Sequence, residues 1–237
     1  MMPEPPSQVI DSMRKTPRQG RAWVTVRTIF QATTQILEAE GEAKLTTNRV
    51  AERAGFSIGT LYQYFPSMEA ILLAMIDLER RRVVAQLDRL LAEAETSPAH
   101  PRDHLRLFIR TLITSFGTGN LARRSLLKRG WMLDHTPQVI AMVRQVAERI
   151  QLSLERRRHP DFPPPDAAAL FVVTRAVLGA IRAAVLEDSA LPGTPAFEDT
   201  LYLLALGLLG DAGVAAARTG CTLDQSTRGP FVSFRHR

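Results

Sequence analysis

Two short amphipathic segments meet at a glycine in residues 45–69, LTTNRVAERAGFSIGTLYQYFPSME, and no other stretch restricts the chain so tightly. The spacing predicts a helix over Thr47–Ala54. Thr46 or Thr47 caps it, because a hydroxyl there accepts an amide proton that the first turn leaves unpaired. Val50, Ala51 and Ala54 form its inward stripe. Gly55 stops it, since glycine enters the left-handed region without steric cost. Ser57 caps a second helix, Ile58–Phe65, with Leu61 and Phe65 inward. Gly59, Thr60, Tyr62, Gln63 and Tyr64 are left around the exposed side. Pro66 ends it by pushing the preceding residue out of the α region, and Ser67 caps a third helix whose positive end suits Glu69. Two short helices about a glycine-containing turn make a helix-turn-helix pattern, a device for placing side chains in a DNA major groove. The plainer reading is an ordinary αα-corner. Such a corner has no use for exposed tyrosines beside a glycine that costs about 0.5–1 kcal/mol within a helix.

Residues 28–72 resemble the DNA-binding domain of the TetR family of transcriptional repressors. The resemblance rests on Gly41, Leu45-Thr46-Thr47, Val50-Ala51, Ala54-Gly55-Phe56-Ser57, Gly59-Thr60-Leu61-Tyr62-Gln63-Tyr64-Phe65 and Ser67-Met68-Glu69, all at the family's spacing. It implies that Thr47, Tyr62, Gln63 and Tyr64 hydrogen-bond DNA phosphates. It places Asn48, Ile58, Gly59 and Thr60 at base edges, with Thr46 and Ser57 beside them. Arg49 and Arg53 are either phosphate contacts or solvated helix surface. One residue departs from the pattern: Met68 stands where the family usually carries a phosphate-contacting lysine. Phosphate contacts fix register, whereas base contacts carry the sequence information.

The rest of the chain reads as helix. Ala and Leu abound while aromatics make up 6% of residues, which favours helices over strands. Apolar residues recur at helical spacing over residues 22–40, from Ser67 to about Glu95, over Arg102–Phe116 and near Ala122–Leu133. They recur again from Pro137 to about Arg158, over Asp166–Leu186, and from Thr194 to about Thr219. The fold class is therefore all-α, with about nine helices. A disordered arm is expected over residues 1–20, a helix-turn-helix domain over 21–70, a helical regulatory and dimerisation domain over 71–220, and a loose tail over 221–237. Arg14, Lys15, Arg18 and Arg21 either reach DNA from that arm or belong to a floppy tail. The net charge is +6. A basic N-terminus directly before a DNA reader suits phosphate attraction. The single cysteine, Cys221, permits no intramolecular disulfide and suits a reducing cytoplasm. Residues 167–186 have the length of a membrane span. Arg175 and Arg182 within them would each cost about 2.5–3.5 kcal/mol in lipid, so a buried helix is expected and no membrane partner.

A single reader makes few contacts, so a homodimer on palindromic double-stranded DNA is expected. Its interface is assigned to the last two long helices. Ala180, Ala183 and Ala184 in one, and Ala205, Gly207, Gly210 and Gly213 in the other, either permit close approach of two chains or pack within one. The family resemblance further implies a small-molecule effector site inside the bundle. Its candidate lining is Phe108, Phe116, Trp131, Met132, Met142, Phe171 and Arg175, the aromatics alternatively being ordinary core. Arg175, set among apolar neighbours, pairs with an anionic ligand, lies at a rim, or forms half of an ion pair. No cofactor is expected and no catalytic residue stands out. The alternative is a helical enzyme or a binding protein without DNA function. Gly117-Thr118-Gly119-Asn120-Leu121-Ala122 has the glycine spacing of a dinucleotide loop but follows a helical segment, not a strand. His100 and His104 are four apart with Pro101 between them, and no third metal ligand is apparent.

Overall fold

The computed structural model describes residues 20–133 and 136–210. Among them are nine α-helices and two short 3₁₀ turns: α1 Gly20–Glu40, α2 Thr47–Ala54, α3 Ile58–Tyr64, α4 Met68–Thr96, α5 Pro101–Phe116, α6 Leu121–Met132, α7 Pro137–Arg157, α8 Ala167–Leu186 and α9 Pro195–Leu209. The arm residues Arg14, Lys15 and Arg18, the tail 221–237 with Cys221, and Gly213 lie outside the described residues.

Local chemistry sets the boundaries where the sequence places them. The Arg49 N–H donates to Thr46 Oγ1 at 3.3 Å, the Thr60 N–H to Ser57 Oγ at 3.1 Å, and the Ala70 N–H to Ser67 Oγ at 3.2 Å. Gly55 ends α2 at φ 72°, a left-handed conformation that needs glycine. Phe65 is extended ahead of Pro66, so α3 ends one residue earlier than expected. The last helix is also shorter. It stops at Leu209, with Gly210 extended, rather than running to about Thr219. Gly207 and Gly210 lie close together there, and each lowers helix propensity.

Two apolar clusters divide along α4. Val26, Ile29 and Ile36 of α1, Val50 of α2, Leu61 and Phe65 of the α3 segment, and Ile71 and Met75 of α4 form the first. Val83 and Leu87, further along α4, join α5, α8 and α9 in the second. A smaller cluster of Leu37, Leu72 and Ala122 seats α6 between them. Met68 packs against the first and third clusters, so the residue that replaces the family's lysine acts as an apolar spacer. Helix α8 is long and apolar enough to cross a membrane, yet it packs among α5, α6, α7 and α9.

The far end of α4 is held by charge. Arg157 of α7 donates to the carbonyls of Ala94, at 2.6 Å, and of Ser97 and Ala99. The Ala94 carbonyl is one that the last turn of α4 leaves unpaired, and Ser97 and Ala99 follow just beyond that helix.

Tyr64 is the main correction to the sequence reading. Its hydroxyl suggests the exposed side of α3, but the residue is only 9% exposed and belongs to the first apolar cluster. It lies three residues after Leu61 and beside Phe65, in phase with the buried stripe. A packed ring of this kind predicts that Tyr64→Ala lowers stability by about 3–5 kcal/mol. Tyr64→Phe keeps the ring and stays near wild type. Thermal or urea unfolding of both variants checks this.

Candidate nucleic-acid interface and apolar cavity

With Leu61 and Phe65 fully buried, the opposite face of α3 is fixed toward solvent. Ile58 is 37% exposed and Tyr62 40%; Gly59 and Gln63 are exposed as well. Helix α2 brings its own first turn to the same surface, where Thr46 and Asn48 are exposed and Thr47 is half-buried. Thr47 Oγ1 and the Tyr62 hydroxyl lie 3.3 Å apart, joining the start of α2 to the end of α3. The hydroxyls of Ser57 and Thr60 are hydrogen-bonded at 2.9 Å, so both serve the cap.

Gly59 is informative because nothing among the described residues requires it. A Cβ built there meets only Ser57 Oγ, at 3.8 Å, which is ordinary contact. The helix therefore carries a destabilising residue without an internal reason, which is consistent with a demand from outside the fold.

Two expected members are placed differently. Tyr64 is in the core, as described above. Arg49 is drawn back to α1, where it and Arg53 share the Glu40 carboxylate, Arg53 at 3.2 Å. Glu40 was not singled out from the sequence, since an acidic residue ending a helix carries no signal of its distant partners. The same holds for Glu42, in the turn after α1. Arg129 of α6 hydrogen-bonds it and also pairs with Glu69 at 2.8 Å, and the hydrogen bond holds the Glu42 carboxyl below its usual pKa.

Behind the interface lies a cavity of about 850 Å³, within the ~300–1,000 Å³ usual for small-molecule sites. Of the expected lining residues, Phe108, Phe116, Trp131, Met142, Phe171 and Arg175 line it. Met132 does not: it is 74% exposed. Its neighbour Trp131 faces inward, and successive residues point about 100° apart around a helix. Leu90 and Leu91 of α4 and Val143, Val146 and Ile150 of α7 are half-buried and border this space. The cavity extends to Phe30 of α1, whose ring is tilted against Phe65 at 5.7 Å between centroids.

The remaining sequence motifs have structural roles. The glycine-spaced stretch at Gly117 is the tight α5–α6 turn. Gly119 takes φ 148° there, and a Cβ on Gly117 would collide with Pro192. His100 is near His159 and Asp161, not in a pair with His104 alone, and their ligand atoms lie within 4.8 Å of one another. Yet His100 Nδ1 accepts the Arg102 N–H and His159 Nδ1 accepts the Asp161 N–H, both at 3.2 Å. Each neutral ring then carries its proton on Nε2, the atom a metal would need. Binding a metal there would break both backbone bonds.

The arrangement defines a class: a helix-turn-helix unit mounted on a helical bundle with an internal apolar cavity. Residues 29–75 match the family described as bacterial regulatory proteins, tetR family. The match spans the helix-turn-helix unit and the start of α4, so what it shows is a tetR-family DNA-binding domain at this end of the chain. Among similar proteins, the nucleoid occlusion factor SlmA of Vibrio vulnificus is 24% identical over 185 residues, covering 75% of this chain and 92% of SlmA. The HTH-type transcriptional regulator EthR of Mycolicibacterium smegmatis is 34% identical over 90 residues, 38% of this chain and 40% of EthR. A crystal structure of a TetR-family regulator from Mesorhizobium loti superposes with a TM-score of 0.59 at 15% identity, covering 84% of this chain and 98% of that one. That likeness bears on the fold alone.

Gly59→Ala separates the two demands on α3. It is expected to raise stability by about 0.5–1 kcal/mol and to weaken binding to DNA. Urea unfolding and an electrophoretic shift on the same sample read both; a gain in stability without loss of DNA affinity would remove Gly59 from the interface.

Proposed function

We propose that the protein is a sequence-specific DNA-binding transcriptional regulator, a dimeric repressor of a palindromic operator that releases DNA when a small molecule fills the bundle. The observation that carries this reading is the outward face of α3, with Tyr62 linked to Thr47 and Gly59 bare. In this reading Thr47, Tyr62 and Gln63 hold phosphates, and Asn48, Ile58 and Gly59 meet base edges. A cytoplasmic location follows from contact with the chromosome.

The dimer reading is supported by exposed apolar residues on α8 and α9. Val172, Leu203, Leu204 and Gly207 lie on the outer faces of these helices, Leu203 being 62% exposed. Ala183 and Gly207 are exposed on these helices as well. Ala184, Ala205 and Gly210 are buried within the chain and serve its own packing. Exposed apolar side chains on two neighbouring helices suit an association site. Two readers also meet the energetic need, since one module binds non-specifically at only about 10⁻⁴–10⁻⁶ M in physiological salt.

Coupling between cavity and reader has two physical routes. Phe30 borders the cavity and touches Phe65 at the end of α3. Helix α6 carries Trp131 into the cavity and Arg129 onto Glu42 and Glu69. A ligand shifts the equilibrium only as far as it prefers one arrangement over the other.

A second reading, a nucleoid occlusion factor, is favoured by the SlmA match, which extends well beyond the reader. Selection of bound fragments from genomic DNA tests both readings. A palindrome ahead of a few genes is the expected result, with affinity falling steeply as salt rises. Sites scattered over the chromosome would favour the second reading, and indifference to DNA would favour a helical enzyme. For the dimer, Leu203→Glu is expected to halve the mass seen by light scattering and to lower operator affinity by at least about tenfold. A persistent dimer would place the interface elsewhere.

A further inference from the structure

We propose that the cavity selects an amphipathic carboxylate: an apolar chain lying among the lining side chains, with its anionic head on Arg175. This inference rests on the ligand-responsive reading above. The cavity wall is largely aliphatic and aromatic, and the charged groups that border it are strongly unbalanced. Glu79 is the one carboxylate among the described lining residues, and it is already engaged by Arg123 at 2.8 Å and Arg82 at 3.8 Å. Arg157 is committed to the carbonyls at the end of α4. Among the described residues, Arg175 has no carboxylate partner. Its guanidinium is half-buried, lies over the Phe171 ring at 5.1 Å, and donates to Thr174 Oγ1 at 3.3 Å, which leaves most of its fork unused.

A half-buried cation at the edge of an apolar cavity is only partly hydrated, so it gains from an anion that enters with its own apolar body. The same field opposes an amphiphile with a cationic head. Trp131, 8% exposed, lines the same space. Trp131 also packs with Leu178, one turn of α8 beyond Arg175.

Three probes of equal chain length test the assignment: dodecanoate, dodecanol and dodecyltrimethylammonium, each below its micellar concentration. Trp23→Phe leaves Trp131 as the reporting fluorophore. Dodecanoate is expected to bind at least about tenfold more tightly than the ammonium compound. Arg175→Gln is expected to remove that preference while leaving dodecanol binding, and Arg175→Lys to restore part of it. Equal binding of all three probes, binding of none, or a preference that survives Arg175→Gln would overturn the inference. Operator affinity is measured alongside. Dodecanoate bound through Arg175 without any change in operator affinity would sustain the inference and defeat the ligand-release reading. Release by dodecanol or the ammonium compound alone would do the reverse.

Discussion

One uninterrupted helix holds the two apolar clusters in a single body. Helix α4 gives Ile71 and Met75 to the cluster beneath the helix-turn-helix and Val83 and Leu87 to the cluster of the bundle. No flexible linker intervenes, so the orientation of α3 depends on the bundle through continuous hydrogen-bonded backbone. Helix α6 reinforces this from the side. Gly130 lets it approach closely enough that a Cβ there would sit 3.3 Å from Ile76, and its carbonyl accepts a bond from Arg80.

The helix-turn-helix was legible in the sequence because its determinants are local. Caps, a left-handed glycine and a proline after the last turn act within four or five residues of their own positions. Tyr64 was misplaced because a phenol reads as polar while its ring packs like phenylalanine. The Leu61, Tyr64, Phe65 spacing carried the buried phase, and that stripe outweighed the hydroxyl. Gly59 stands out in the sequence as a glycine within a short helix, and a Cβ there would meet only Ser57 Oγ, at 3.8 Å.

The cavity was only partly legible. Side chains that border an internal space have the same types and spacing as side chains that fill a core, so periodicity alone does not separate them. Phe108 and Phe116 line the space, while Met132 turned out to face solvent. The ion pairs that tie α6 to α1 and α4 join residues far apart in the chain, as Arg129 does with Glu42 and Glu69. No motif announces such pairs. They exist because the apolar clusters first bring the helices together.

The hold of Arg157 on the Ala94 carbonyl and on the turn just after α4 has a mechanical consequence. It makes that end the fixed point of a rod of 29 residues, about 43 Å long at 1.5 Å per residue. Any rotation of the rod then sweeps its opposite end through the widest arc. A tilt of about 5° moves that end by nearly 4 Å, by the same geometry. A displacement of that size is comparable to one base-pair step of a duplex, so a slight angular change deep in the bundle is magnified to the scale on which a groove is read.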